Sequence, residues 1–539
     1  MSDVLAELNP NNHLNLIDAF NEASIKFKDQ IAFHCLGDDK TYAEIQTLAQ
    51  RFGAFLSHSC DLKKGDAIAI QLPNITQYPV AFWGAMHAGL RVVNTNPLYT
   101  KREQIHQFND SGAKALVVLD SLLATTEQVL PETQIEVVIC TSINDLSDLS
   151  ATPAPAQEFK NVRSLSYLDV LSQGADLPPC KNESTWSDLA VLQDTGGTTG
   201  PAKGVMLSHG NIYSCMKMGR ASVILRRDED LEVALAPLPL YHIFGFQQHI
   251  IGGYMHGALA LLIPNPRDMD YMINTMRSYP LSTLNGVNTL LSGMMAHPDF
   301  DKIDFSHFVG AIAGGTTLVK EIAEEWISRT GGAIYEGYGL SESTGSGFCN
   351  RPESNELGTV GVALEHSEAM IMGENGEAMP TGERGEVCLR GPHIMQGYWQ
   401  RPEATAETID AQGWLHTGDI GILNERGHLK IVDRIKDMIL VSGFNVYPNE
   451  VEGVVYSHPD VLECGAIGIP SEQTGEAIKL FVVSKSGQLT EKDIMAYCRQ
   501  ELAGYKVPKA IVFMQDLPKS PAGKVLRREL RESVGSTDS

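Results

Sequence analysis

Residues 188–211 read DLAVLQDTGGTTGPAKGVMLSHGN. The apolar run at the start predicts a buried strand over Leu189–Leu192. The chain then enters Thr195, Gly196, Gly197, Thr198, Thr199 and Gly200, and meets Lys203 just beyond. Glycines let backbone N–H groups converge on an anion, because no side chain blocks the approach. Threonine hydroxyls add donors and can reach a metal, and Lys203 adds positive charge. A polyphosphate needs those groups. The Walker pattern G-x-x-x-x-G-K-[ST] does not fit, since Lys203 follows Ala202 and precedes Gly204. The competing reading is a glycine-rich turn with no ligand.

Away from this loop, short apolar runs recur at 66–72, 114–120, 136–140, 258–264 and 308–315, and each predicts a buried strand. Helical patterns lie between several of them. Over Thr41–Leu62 the apolar residues Ile45, Leu48, Phe52, Phe55 and Leu56 fall on one face. Alternating strands and helices imply an α/β fold with largely parallel sheets. Residues 142–162, rich in Ser, Pro and Ala, predict a surface loop. From about residue 366, short strands joined by Gly-containing turns predict a β-rich subdomain. After about residue 437 the pattern is that of a small α+β unit. Within it Thr490 and Asp493 form a capping box, and Ile494, Cys498 and Leu502 share a helix face. These readings place a large N-terminal domain at 1–434 and a small C-terminal domain at 435–539.

Composition narrows the function. A chain of 539 residues is too long for one ordinary core. Its formal net charge of −24 argues against a nucleic-acid partner, whose phosphates call for Lys and Arg. The N-terminus shows no signal-peptide pattern, and no apolar run is long enough to span a membrane. The nine cysteines stand singly, with no CxxC pair and no metal-ligand spacing, which reads as free thiols in a reducing cytoplasm.

The loop "DTGGTTGPAKG" resembles the phosphate loop of the adenylate-forming superfamily. "PLPLYHIFG" (237–245), "EGYGLSES" (336–343), "YWQRPEAT" (398–405), "GWLHTGDIG" (413–421), "IVDRIKDMILVSGFNVYPNEVE" (431–452) and "PKSPAGKVLRREL" (518–530) resemble that family's further motifs, in its order. Within the family, "NPRD", "GVNTL" and "DMILVSGFNVYPNE" look most like bacterial long-chain fatty-acid–CoA ligases. The resemblance implies a two-step reaction. ATP and a fatty acid give acyl-AMP and pyrophosphate, and CoA then takes the acyl group. Mg²⁺ is the implied cofactor.

The resemblance also assigns roles. Thr195 to Gly200 and Lys203 would hold the β- and γ-phosphates, and Thr195 and Glu342 would serve Mg²⁺. Alone, Glu342 reads as a solvated carboxylate; its place in "YGLSE" gives it the functional reading. Tyr338 would stack on adenine, with Gly315, Glu336 and Gly337 lining that pocket. Ser341 would donate to the α-phosphate, Asp419 would bond both ribose hydroxyls, and Arg434 would help from the far side. His242 would sit at the mouth of the acyl site. Lys524 would enter the site during adenylation and stabilise charge between the carboxylate and the α-phosphate. Lys519, Arg527, Arg528 and Arg531 would remain surface charge. Lys436 would be the hinge about which the C-terminal domain rotates, and Ser442 and Gly443 would then meet CoA.

Three features depart from the family pattern. Asp194 stands where many relatives carry Tyr, and a carboxylate beside phosphates must turn away. Ser341 replaces Thr. "STGSGFCN" after Glu342 differs near the acyl channel. The alternatives are a medium-chain or aryl acyl-CoA ligase, an acyl-AMP ligase feeding a carrier protein, and an inactive nucleotide-binding relative. Localisation is expected to be cytoplasmic. A long-chain acid partitions into lipid, so the reading leaves room for peripheral contact with the inner face of the cell membrane, and the family for a homodimer.

Overall fold

Strand-forming segments alternate with helices through the first two-thirds of the chain, and the alternation sets the architecture. The computed structural model describes residues 6–9, 13, 15–147, 156–195, 202–222, 231–471, 473–520 and 523–535, the side chains of 220–222 and 534–535 excepted. Among these residues the N-terminal domain holds two large sheets flanked by helices. One runs in the order Arg163–Ser166, Val137–Thr141, Ala113–Leu119, Ala67–Gln71, Arg91–Asn94, Leu189–Thr195, Lys203–Ser208. Its strands are parallel except the last, which turns back on Leu189–Thr195 as a hairpin partner. The predicted strand at 189–192 therefore continues through Thr195, and Thr195 pairs with Lys203.

The second sheet has a parallel centre of Ala333–Tyr338, Gly310–Ala313, Thr283–Gly286, Val233–Ala236, Leu259–Leu262 and Ile31–Cys35. Short antiparallel strands close both edges. Both faces are covered, so the strand residues are apolar nearly throughout. The helix Tyr42–Ser59 begins at Thr41, whose hydroxyl accepts from Glu44 N–H while the Glu44 carboxylate accepts from Thr41 N–H. Ile45, Leu48, Phe52, Phe55 and Leu56 are all buried, as the periodicity predicts. This helix crosses Gln77–His87 so closely that a Cβ on Gly53 would lie 2.6 Å from Gly84 O. No helix among the described residues is long and apolar enough to cross a membrane.

The β-rich subdomain is a four-stranded antiparallel sheet: Glu368–Met372, Arg384–Arg390, Leu415–Leu423, Leu429–Arg434. It ends at Arg434. A single tight turn, Ile435–Asp437, leads into the next sheet, which begins at Ile439 and has five strands with Gly475–Ser484 at its centre. The helix Glu491–Glu501 packs on that sheet with Ile494 and Cys498 buried and Leu502 partly so. Its start is capped by Thr490 and Asp493, as the sequence predicts.

Candidate active site

The C-terminal ends of the parallel strands converge, which is where open α/β sheets bind ligands. His242 follows Val233–Ala236, Val287 follows Thr283–Gly286, and Gly314 and Gly315 follow Gly310–Ala313. Gly337 and Tyr338 end their own strand. All of these line one cavity. Gly315 sits at φ +80°, and a Cβ there would meet nothing within 4 Å, so the backbone faces open space. The rest of the cavity wall is mostly apolar: Met216, Leu238, Phe244, Phe348 and Leu364. Gly345, Ser346, Phe348 and Cys349 of "STGSGFCN" also border it. A space lined by glycine backbone and a tyrosine ring at one end thus continues into an apolar one.

Polar groups gather at the junction. Asp419 is buried, and both its oxygens are engaged: Oδ2 accepts from the Tyr338 hydroxyl at 2.6 Å, and Oδ1 meets Arg434 Nε at 3.0 Å. Lys524 lies among them. Burial, reinforced by Arg434, pushes its pKa down to about 8. His242 is pushed down to about 4 by burial and by the Lys524 charge. Its Nδ1 accepts from Phe244 N–H, so the neutral ring carries its proton on Nε2. Lys436 is exposed on its turn and interacts electrostatically with Arg434, Asp419 and Glu342. Glu336 is pushed up to about 7 by burial, and its carboxylate accepts from Gly358 N–H at 2.6 Å. It holds backbone in place behind the cavity.

The phosphate-loop residues Gly196, Gly197, Thr198, Thr199 and Gly200 lie outside the described residues; the feet of the loop lie within them. Lys203 Nζ stands 4.7 Å from the centre of the Tyr398 ring, and the Tyr398 hydroxyl donates to Glu342 Oε1 at 2.7 Å. The strand ending in Thr195 touches the turn Ser341–Ser343. Lys203, Thr195, Ser341 and Glu342 are thereby brought to one place. A carboxylate and a hydroxyl are hard oxygen donors, the kind Mg²⁺ takes. Asp194 turns away toward the helix Lys101–Ser111. Burial, with Asp110 nearby, raises it to about 7, and Gln107 bonds it. His106 Nε2 reaches Ala202 O on the other side of the loop at 3.2 Å.

Sequence reasoning gave Tyr398, Trp399 and Arg401 no task. Their segment runs alongside Lys203–Ser208 through Trp399 N–H to Gly204 O and Met206 N–H to Gly397 O. Trp399 Nε1 donates to Asp110 O, and Arg401 pairs with the Asp110 carboxylate at 2.6 Å. Arg527 corrects a second expectation. It is a buried cation, ringed by Glu452 at 2.9 Å, Asp437 at 3.3 Å and Asp433 at 3.5 Å. Lys519 is paired with Glu463 and Asp516. Arg531 holds Asp437 at 2.8 Å, and Arg528 alone of the four is well exposed with only a helix-neighbour partner. Ser442 and Gly443 form the exposed tip of the hairpin Ile439–Val446, both with positive φ.

The AMP-binding enzyme family model matches residues 20–399, and the AMP-binding enzyme C-terminal domain model matches 450–524. The chain is 42% identical over 551 residues to a long-chain-fatty-acid–CoA ligase of Escherichia coli O157:H7, covering 100% of this chain and 98% of that one. The ATP-bound MatB of Rhodopseudomonas palustris superposes with a TM-score of 0.85 at 27% identity, over 96% of this chain and 99% of the other. An anthranilate CoA ligase, AuaEII, in complex with anthranoyl-AMP shares the fold with a TM-score of 0.88 at 24% identity, over 97% and 98% of the two chains.

Proposed function

The chain belongs to the AMP-binding enzyme family, and on that premise we propose that it activates long-chain fatty acids as their CoA thioesters. In the first step a fatty-acid carboxylate attacks the α-phosphorus of ATP, forming acyl-AMP and releasing pyrophosphate. In the second the CoA thiol attacks the acyl carbon, and AMP leaves. The observation that carries this reading is Lys524 beside Asp419, Arg434 and His242, the last of which lines one cavity with Gly315, Gly337 and Tyr338.

The residues divide the work by position. Tyr338, with Gly315 and Gly337, forms the adenine wall, and Asp419, steadied by Arg434, receives the ribose hydroxyls. Thr195 to Gly200 and Lys203 cradle the outer phosphates, and Ser341 faces the α-phosphate. Thr195 and Glu342 would hold Mg²⁺, with Tyr398 fixing the Glu342 carboxylate; when bound, the ion would neutralise charge on the phosphates. Lys524 stabilises the charge that builds between carboxylate and α-phosphate, and no enzyme nucleophile is required. His242, neutral with Nε2–H, acts as a donor at the acyl group; a carboxylate substrate has no proton to give up.

For the second step the C-terminal domain, 435–539, turns about Lys436, and the hairpin bearing Ser442 and Gly443 comes to the thiol. The sheet boundary at Arg434 and the single-turn connection Ile435–Asp437 support a pivot there. Gly443 leaves room for a pantetheine arm, since a Cβ at that position meets nothing within 4 Å. A long acyl chain partitions into lipid, which supports a cytoplasmic enzyme that touches the inner membrane face; the homodimer rests on the family resemblance.

The test is pyrophosphate release and thioester formation with a series of medium- to long-chain acids, for wild type and Lys524→Ala. The variant is expected to lose about 10²–10³-fold in adenylation, the loss typical of removing one charge-stabilising donor, while still binding ATP. Full activity in the variant overturns the lysine's role. Pyrophosphate release without any CoA thioester makes the protein a ligase feeding another acceptor.

A further inference from the structure

No spacing in the sequence marks a metal site, yet one strand pair brings together a thiol, an imidazole and a carboxylate. Glu386 and Cys388 lie two apart on the strand Arg384–Arg390, and Cys388 stands directly opposite His416 on Leu415–Leu423. Residues two apart share a face of a sheet, and opposed residues touch across it. Cys388 Sγ is 3.7 Å from His416 Nδ1, and Nδ1 is 2.9 Å from Glu386 Oε2. All three ligand atoms lie within 4.8 Å of one another.

We propose that Glu386, Cys388 and His416 form a binding site for a thiophilic divalent cation of the zinc class, seated beside the strand segment that carries Asp419. Zinc bonds of about 2.3 Å to sulfur and about 2.0–2.1 Å to nitrogen and oxygen would set the S–N edge of a tetrahedron at about 3.5 Å and the N–O edge at about 3.3 Å. The S–N edge of 3.7 Å and the N–O edge of 2.9 Å need to move only a few tenths of an ångström, and the sulfur and the carboxylate oxygen, within 4.8 Å of each other, close on the same ion.

The surroundings match a metal site more closely than a simple ion pair requires. A ligating imidazole normally gives its second nitrogen to a carboxylate, and a ligating carboxylate is itself hydrogen-bonded. Without a cation His416 Nδ1–H donates to Glu386 Oε2 at 2.9 Å; an entering cation takes the Nδ1 lone pair and moves the ring proton to Nε2, which faces Asp410 Oδ2 at 3.7 Å. The second oxygen of Glu386, Oε1, accepts from Gly418 N–H at 2.9 Å. Arg390, paired with Glu368, is the cation on the Asp410 side. Burial, Glu386 and Asp410 together push the Cys388 thiol up to about 12. An entering cation replaces that proton and neutralises the carboxylates, so binding releases a proton and tightens as pH rises. Three protein donors leave the fourth position open.

The link to the nucleotide is short. Thr417 Oγ1 donates to Val387 O at 2.7 Å, Asp419 N–H donates to Thr417 Oγ1 at 3.1 Å, and Glu386 holds Gly418. A cation drawing Glu386 and His416 toward Cys388 pulls on the segment that orients Asp419, so its occupancy changes the affinity for AMP.

The experiment titrates the metal-free full chain with Co²⁺ and follows thiolate-to-cobalt charge-transfer absorption. One equivalent, displaced by Zn²⁺, is expected in wild type. The band disappears in both Cys388→Ser and Cys388→Ala, and Asp410→Asn keeps it with an affinity about tenfold weaker. AMP binding, measured with and without Zn²⁺, shifts roughly fivefold or more in wild type and not in Cys388→Ser. No band in folded wild type, or a band undiminished in the cysteine variants, overturns the site. A cysteine-dependent band with unchanged AMP binding overturns the coupling to Asp419.

Discussion

In the proposed reaction Lys524 supplies the charge that adenylation requires, and burial, with Arg434, brings its pKa to about 8. Above that pH the free enzyme loses its ammonium, so kcat/KM for the fatty acid falls as pH rises through about 8. Lys524→Arg, which stays charged, is expected to lose that alkaline limb; a limb that stays in place would assign it to another group. Asp194 works in the opposite sense. Its folded value of about 7 lies well above the ordinary carboxylate value of 3.8. The native state therefore holds the proton more tightly than the unfolded chain, and stability falls as pH rises between about 4 and about 7. Asp194→Asn resembles the protonated acid and removes that fall. Its melting temperature should gain on wild type from about pH 4 to about pH 7 and then hold its lead. A pH-independent difference between the two proteins would show that Asp194 is ionised throughout. The departure itself was visible in the sequence. The answer to it, a carboxylate packed against His106, Gln107 and Asp110, depends on a helix about ninety residues earlier and could not be read locally.

The turn that presents Lys524 is tightly built: Ser520 N–H donates to Lys524 O at 2.7 Å, and Gly523 N–H to Ser520 O at 2.8 Å. Gly523 adopts φ +78°, and a Cβ there would lie 3.2 Å from Val287 Cγ2 and 3.3 Å from Thr289 Oγ1. Gly523→Ala should slow pyrophosphate release more than it slows thioester formation from supplied acyl-AMP, because the crowding exists only while this turn is docked. Equal loss in both half-reactions would point to general damage. The following helix begins at Arg527, which joins Glu452 of the small domain to Asp433 and Asp437 on either side of the connecting turn. Arg527→Met leaves three carboxylates without their shared cation. Chemical unfolding should show a loss of about 3–5 kcal/mol, the range for breaking one side of a buried ion pair. The helix cap of Thr490 with Asp493 was readable because both partners lie within one turn. The Tyr398–Glu342 bond and the Arg527 network were not, since their partners are set by packing between distant segments.

In the proposed reaction the small domain moves as a body between two half-reactions, with its pivot at the short connection Ile435–Asp437. Lys436→Pro restricts that turn. Adenylation should survive, and acyl-CoA formation should fall by roughly tenfold or more, as for a hinge that gates one step. Retained thioester formation would move the pivot elsewhere. The chain of motifs and the strands with long apolar runs were evident from sequence because periodicity and spacing are local properties, whereas four-residue strands such as Arg91–Asn94 and Thr283–Gly286 were too short to stand out. Which strand ends face one another is a property of the sheets, and the meeting of Gly315, Tyr338 and His242 follows only from their parallel order. The docked position of the Lys524 turn against Val287, a wall of the cavity, has a consequence for timing. On the proposed reading a thiol reaches the acyl carbon only after this turn has left, so a half-made mixed anhydride is shielded from premature capture and pyrophosphate departs before the second nucleophile enters. One loop then serves as both reagent and door, with no covalent mark on the enzyme.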